Sequence, residues 1–323
     1  MSFENQIFSI NSDADFERIA LEIFQFQVEN CTVYNQFCKN ILKKTPLKIE
    51  EIPFLPISFF KTHDIRIDSK KEVEHTFYSS GTTGENRSKH LILNTRIYEE
   101  SFLNTYRKYI GDPKGHVILA LLPNYLEQGN SSLVYMVDAL IKLTNSDVSG
   151  FLLNKLDEIE EKYIQALSSA KKVVIFGVSY ALLDLAEKKI NLSEAFIIET
   201  GGMKGRRKEM TKDELHELLI DGLKVPFISS EYGMTELLSQ AYSNKDGLFK
   251  TPSWMKILIR DLNDPFNYLE NGKTGGINII DLANLYSCSF ISSQDLGKIE
   301  HDSFRIMGRF DNSDIRGCNL MVE

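Results

Sequence analysis

From Asp13 to Lys44 the apolar positions Phe16, Ile19, Ala20, Ile23, Phe24, Phe26 and Val28 mostly keep helical spacing, and Asn11-Ser12 ahead of them supply capping side chains. The pattern predicts a helical lead-in. Pro46, Pro53 and Pro56 then break any helix and lead through FLPISFF into an extended run. Beyond it, apolar strand-like runs precede amphipathic helical ones: Glu74 to Tyr78 before Thr95 to Tyr109, His116 to Leu122 before Ser131 to Leu143, and Lys172 to Phe176 before Tyr180 to Lys188. Ala195 to Glu199 and Val225 to Ser229 read as two further short buried strands. Strands alternating with helices imply an α/β fold with a largely parallel sheet, whose ligands gather at the carboxyl ends of the strands. After Asp246 the pattern changes to strands and turns, in MKILIRDL, GGINIIDL, CSFISSQDLG and FRIMGRFD. The expected organisation is therefore a core over 1–245 and a β-rich lobe over 246–323, packed together because no Pro/Ser/Gly linker divides them.

With 323 residues, 42% of them hydrophobic, the chain can bury one large core or two modest ones. Its net charge of -8 argues against nucleic acid or an anionic membrane as the main partner. The longest apolar run, Val117 to Leu122, is too short to span a bilayer, and the start MSFENQIF lacks the basic-then-apolar pattern of a leader. A cytoplasmic location is expected. Cys31, Cys38, Cys288 and Cys318 show no CxxC spacing, so neither a disulfide framework nor a zinc site is indicated.

Candidate chemistry begins at YSSGTTG, Tyr78 to Gly84. Gly81 and Gly84 let backbone amides turn inward, and Ser79, Ser80, Thr82 and Thr83 add hydroxyl donors, a composition suited to cradling phosphate. Strand, polar glycine loop and helix is a phosphate-binding order, although the loop matches neither a Walker sequence nor GxGxxG. A solvated hairpin turn uses the same residue types.

Four further segments follow: ETGGMKG (Glu199 to Gly205), SSEYGMTE (Ser229 to Glu236), SSQDLG (Ser292 to Gly297) and GRFDNSDIRGC (Gly308 to Cys318). Together with YSSGTTG, and in this order, they resemble the adenylate-forming superfamily, and within it the LuxE-type acyl-protein synthetases. The likeness extends from about Pro53 to the end. It implies the large domain of that superfamily and ATP-dependent activation of a fatty or other carboxylic acid as acyl-AMP. The acyl group would then pass to Cys318 as a thioester, for delivery to an acyl reductase or acyltransferase partner. The resemblance also implies that Ser79 to Gly84 hold the pyrophosphate end of ATP, that Thr235 touches the α-phosphate and that Glu236 holds Mg²⁺. Tyr232 would stack on adenine, Gly201-Gly202 would admit the base on its other side, and Asp295, with Arg309 nearby, would bind the ribose hydroxyls. Packing or turn roles are the plain alternatives for Tyr232 and Asp295.

Superfamily members continue past the GRxD segment into a mobile domain carrying a catalytic lysine, whereas five residues follow Cys318 here. Lys204, or else Lys89, is the expected substitute cation. Arg316, Arg309 and Mg²⁺ would favour the Cys318 thiolate. The stretch Leu121 to Val137, with Tyr125, Leu133, Tyr135 and Met136, is where relatives place the lip of the acyl pocket, and core packing accounts for the same residues equally well.

Two other readings use different residues. Phe176 to Ala181 approaches the GxSxG nucleophile elbow, which would make Ser179 a serine-hydrolase nucleophile with His216 or His301 as base, but Ala181 stands where the second glycine belongs. Alternatively the chain is a non-catalytic nucleotide-binding partner of an acyl reductase.

Overall fold

The computed structural model describes residues 2–80, 87–123, 129–202, 207–208, 210–244 and 246–309. The chain forms two compact units, one of Lys71–Pro252 and one of Met1–Lys70 with the segment from Ser253 onward.

The N-terminal segment carries helices α1 (Phe3–Ile7), α2 (Asp13–Asn30), α3 (Thr32–Ile41) and α4 (Phe59–Thr62) and the two-residue strand β1 (Leu55–Pro56). Ser12 caps α2 by accepting from the Asp15 amide at 3.1 Å. The lead-in expected to run continuously from Asp13 is two helices, because Cys31 between them is extended (φ −116°, ψ 104°). FLPISFF contributes β1 alone before α4 rather than a long extended run.

The middle unit opens with the antiparallel hairpin β2 (His75–Tyr78) and β3 (Lys89–Ile92), in which Tyr78 pairs with Lys89. Helix α5 (Thr95–Tyr109) follows, capped by Asn94. The expected order of strand, loop and helix is thus corrected: a second strand, β3, stands between the glycine-rich segment and α5. Next come β4 (His116–Leu121), α6 (Ser132–Thr144), β5 (Gly150–Phe151), α7 (Ile159–Leu167), β6 (Lys172–Val178) and α8 (Ser179–Ala186). The unit closes with β7 (Phe196–Thr200), α9 (Lys212–Leu223), β8 (Ser229–Tyr232), β9 (Ala241–Ser243) and β10 (Phe249–Lys250). Strand order is β10-β9-β8-β7-β6-β4-β5, parallel from β8 to β5 and antiparallel at β9 and β10. Every residue of β4 is buried, as are all of β6 after Lys172, so these strands read as unbroken apolar runs. The strand expected over Val225 to Ser229 instead begins at Ser229, where pairing with β7 starts at Ile198. Pro226 has no amide to offer a ladder. Gly222 lets α9 approach α8: a Cβ there would stand 2.7 Å from the Ala186 carbonyl oxygen.

The other unit adds β11 (Met255–Arg260), β12 (Gly275–Asp281), β13 (Phe290–Glu300) and β14 (Ser303–Arg309), an antiparallel meander. β1 pairs parallel to β13, with Leu55 opposite Ile291. Phe290 lies at the centre of this core, its ring 6.0 Å from Phe24, 6.1 Å from Tyr34 and 6.2 Å from Phe54. The amide of Gln27 donates to the carbonyls of Asn284 and Leu285 and to Ser289 Oγ, each at 3.0 Å. Apolar periodicity placed the lead-in with the α/β core, whereas these contacts group residues 1–70 with the C-terminal strands. Cys31, Cys38 and Cys288 are buried free thiols, and burial raises the pKa of each, Cys38 to about 12. Thiolate chemistry is closed to them. No helix among the described residues is long and apolar enough to cross a membrane.

Candidate active site

A cavity of about 480 Å³ opens within the Lys71–Pro252 unit, where β7 and β8 end. One wall is the hairpin end, with Tyr78, Ser80 and Arg87. Arg87 is fixed there by its Nε, which donates to the Ser79 carbonyl at 2.7 Å, and by lying over the Tyr78 ring at 5.4 Å. Ser79 does not line the cavity: its hydroxyl accepts from the Ser88 amide at 2.9 Å and its own amide donates to the Ser88 carbonyl, closing the hairpin.

The second wall is the turn after β8, with Gly233, Met234 and Thr235. Buried His90 of β3 reaches this turn through Nδ1, 2.9 Å from the Thr235 carbonyl, and burial pulls its pKa down to about 4. A neutral ring that donates from Nδ1 holds the turn against the hairpin. Glu236, the expected Mg²⁺ ligand, is 6% exposed and outside the cavity lining. Mg²⁺ in nucleotide sites takes one or two carboxylates and completes its shell with phosphate and water, so a single carboxylate beside Thr235 fits that cation. Among the described residues no group of three or more His, Cys, Asp or Glu gathers to hold a metal by itself.

The third wall is the end of β7, Thr200 and Gly201. Gly201 has φ +72°, a conformation that favours glycine, and Gly202 is exposed with open space at its Cβ position. Leu133 and Met136 of α6 also line the cavity, whereas Tyr135 is not in the lining and donates to Glu99 at 2.6 Å.

Beneath β7 and β8 lies a charged anchor. Glu199, fully buried, accepts from Ser179 Oγ at 2.5 Å and from Ser230 Oγ at 3.1 Å, and forms an ion pair with Lys212 at the start of α9. It ties together the residues just before Thr200 and Glu231. Glu231 lines the cavity and accepts from Thr200 Oγ1, and burial raises its carboxyl pKa to about 7. The sequence reading missed Arg87, Thr200, Glu231 and Gln240, because their neighbours in space come from other strands. The only local signal was position: Thr200 and Glu231 stand inside ETGGMKG and SSEYGMTE without a role of their own, and Arg87 and Gln240 lie three and four residues beyond Gly84 and Glu236.

Among the expected site residues the structure brings Ser80, Gly201 and Thr235 into one cavity. Tyr232 is not in its lining and packs against Phe249 with centroids 6.0 Å apart. In the other unit Asp295, 8% exposed, pairs across the β13–β14 ladder with Arg309, Nε to Oδ1 3.3 Å. Gly81, Thr82, Thr83, Gly84, Tyr125, Lys204, Arg316 and Cys318 lie outside the described residues, and Lys89 is not in the lining.

The hydrolase reading is corrected. Ser179 is 2% exposed and its hydroxyl is directed to Glu199, while His216 Nε2 lies 3.2 Å from Ser230 Oγ, not at Ser179. His301 sits on the β13–β14 turn of the other unit. Ser179 therefore belongs to the anchor of β7.

Residues 9–323 match the family model for acyl-protein synthetase, LuxE. The chain belongs to that family. As a member it is an enzyme, an ATP-dependent ligase. It is 23% identical over 336 residues to the long-chain-fatty-acid–luciferin-component ligase of Vibrio harveyi, covering 94% of this chain and 86% of that protein. The ligase of the same name from Aliivibrio fischeri is also 23% identical, over 95% and 87% of the two chains. Among solved structures, a 2-hydroxyisobutyryl-CoA ligase with its acyl-adenylate and CoA matches at TM-score 0.69 and 13% identity, over 93% of this chain and 69% of that one. ATP-bound MatB from Rhodopseudomonas palustris matches at TM-score 0.56 and 18% identity. That match covers 75% of this chain, which spans about half the length of MatB. At these identities the likeness is one of fold: the α/β architecture is that of adenylate-forming enzymes.

Proposed function

We propose that this enzyme joins a carboxylic acid to AMP with release of pyrophosphate and then takes the acyl group onto Cys318. The observation that carries the reading is the convergence of Ser80, Gly201 and Thr235, from three motifs far apart in the chain, on one cavity. In the first step a carboxylate oxygen attacks the α-phosphorus of ATP and the bond to the departing pyrophosphate breaks. This chain's part is largely electrostatic. Arg87 and the Ser80 hydroxyl would serve the pyrophosphate end, the Thr235 hydroxyl would meet the α-phosphate, and Glu236 would hold Mg²⁺, which would supply neutralising charge to the phosphates. Tyr232, with Gly201-Gly202, is the part we assign to the base. Lys204 is the cation we assign to the developing charge on the bridging oxygen. In the second step the Cys318 thiolate attacks the acyl carbonyl, a C–S bond forms, the C–O bond to phosphate breaks and AMP leaves.

A fatty acid as substrate, and an acyl reductase or acyltransferase as the protein that collects the acyl group, are drawn from the names of the relatives. ATP–pyrophosphate exchange with a panel of acids tests the first step. A hydroxylamine-sensitive acyl-protein that disappears in Cys318→Ser, with exchange retained, tests the second. Exchange that is unchanged in Lys204→Ala removes the role given to Lys204. No exchange with any acid leaves the chain a nucleotide-binding partner instead.

A further inference from the structure

Part of the cavity has no use in the adenylation chemistry above. Gln240 lines it, is 4% exposed, and its Oε1 has no hydrogen-bond partner among the described residues. Two residues on, Tyr242 is 2% exposed and its hydroxyl likewise has no partner there. Alternate residues of an extended segment share a face, and Tyr242 is the direct cross-strand partner of Glu231. Glu231 and Tyr242 therefore stand on one face of the β8–β9 ladder, and Gln240 is the residue just before β9. Their approach is close at Gly233, where a Cβ would run into the Glu231 carboxyl and stand 3.5 Å from Gln240 Cγ.

Of these groups Gln240 has the definite chemical demand, since the Tyr242 hydroxyl and a protonated Glu231 carboxyl can each donate as well as accept. Thr200 Oγ1 serves one oxygen of Glu231, and the Gln240 carbonyl can only accept. Native interiors seldom leave a buried acceptor without a donor. An alkyl chain laid against this floor supplies none and keeps the desolvation penalty in place, whereas a hydroxyl or amino group on the acid removes it. The rest of the lining agrees: Asn130, Ser131 and Ser132 line the cavity beside a few apolar residues, Leu133, Met136 and Met234.

We propose that the acid this enzyme activates carries a hydrogen-bond donor, a hydroxyl or an amino group, which Gln240 reads with Glu231 and Tyr242 beside it, and that plain alkanoates are poorer substrates. The proposal rests on the adenylation reading of the same cavity and adds its substrate class.

The test is ATP–pyrophosphate exchange by the full chain with matched acids: hexanoate and tetradecanoate, hydroxyhexanoates substituted at the 2-, 3- or 6-position, and the corresponding aminohexanoates. The best donor-bearing acid is expected to exceed its matched alkanoate in kcat/KM by about 10- to 100-fold, and the hydroxy and amino arms distinguish the donor. Gln240→Leu should shrink that ratio at least about tenfold, with Gln240→Met as the second variant should the first not fold. Exchange that is fastest with unsubstituted alkanoates, or a ratio unmoved by either variant, overturns the proposal and leaves adenylation standing. No exchange with any acid overturns both.

Discussion

Lys212→Met tests whether the Glu199 anchor holds the ends of β7 and β8. The substitution keeps the aliphatic stem at the start of α9 and deletes the ammonium, leaving a fully buried carboxyl with two hydroxyl donors, Ser179 and Ser230. Removing one partner of a sealed ion pair costs about 3–5 kcal/mol. Here the Lys212 side chain is 38% exposed, so water screens the pair, and the two hydroxyls remain. Those two facts reduce the expected loss to about 2 kcal/mol. Deleting a cation from a helix N-terminus returns a few tenths of a kcal/mol, which does not change the sign. For a unit of this size about 2 kcal/mol lowers Tm by roughly 4–8 °C. Urea unfolding at pH 7 measures the loss directly, and a double-mutant cycle isolates its origin. With Lys212 already replaced, Glu199→Gln should recover on the order of 1 kcal/mol, because it removes the stranded charge. A loss under about 0.5 kcal/mol in Lys212→Met, or strict additivity of the two substitutions, would refute the anchor as described.

Glu231 gives a pH signature. The folded chain keeps its proton up to about pH 7, whereas an ordinary glutamate releases it near 4.5, so this carboxyl's contribution to stability is complete below 4.5 and is lost as pH rises through 7. Glu231→Gln should flatten that decline, read as the change in urea midpoint between pH 5 and pH 8. Arg87→Ala, which removes a charge-assisted donor at the hairpin end of the cavity, should raise the KM for ATP about tenfold. Arg87→Lys should restore only part, and an unchanged KM would separate Arg87 from the phosphates. Phe290→Ala empties the space between the rings of Phe24, Tyr34 and Phe54 and should cost about 3–5 kcal/mol in chemical denaturation. Phe266→Ala, at a ring that is 63% exposed, should stay within about 0.5 kcal/mol.

Much of this protein is determined by local sequence. Helix α5 spans Thr95–Tyr109, the range its apolar spacing predicts, and β4, β6 and β7 begin within a residue of their predicted starts. Periodicity and capping act within a few residues and need no knowledge of the fold. The motifs likewise announced an adenylate-forming enzyme, because their order along the chain carries the family resemblance. Tertiary structure decided the rest. Residues 1–70 pack with the C-terminal strands because Gln27, Phe24 and Tyr34 meet partners more than two hundred residues away, which no local pattern encodes. Ser179 looked like a nucleophile by its neighbours in sequence and proved an anchor by its neighbour in space, Glu199 on the adjacent strand. Gln240, outside every motif, and Glu231, inside SSEYGMTE but given no role there, acquire meaning only where the fold puts both against one cavity. Burial is a property of the assembled sheet, and burial is what turns an ordinary carboxyl and an ordinary amide into groups that demand a partner.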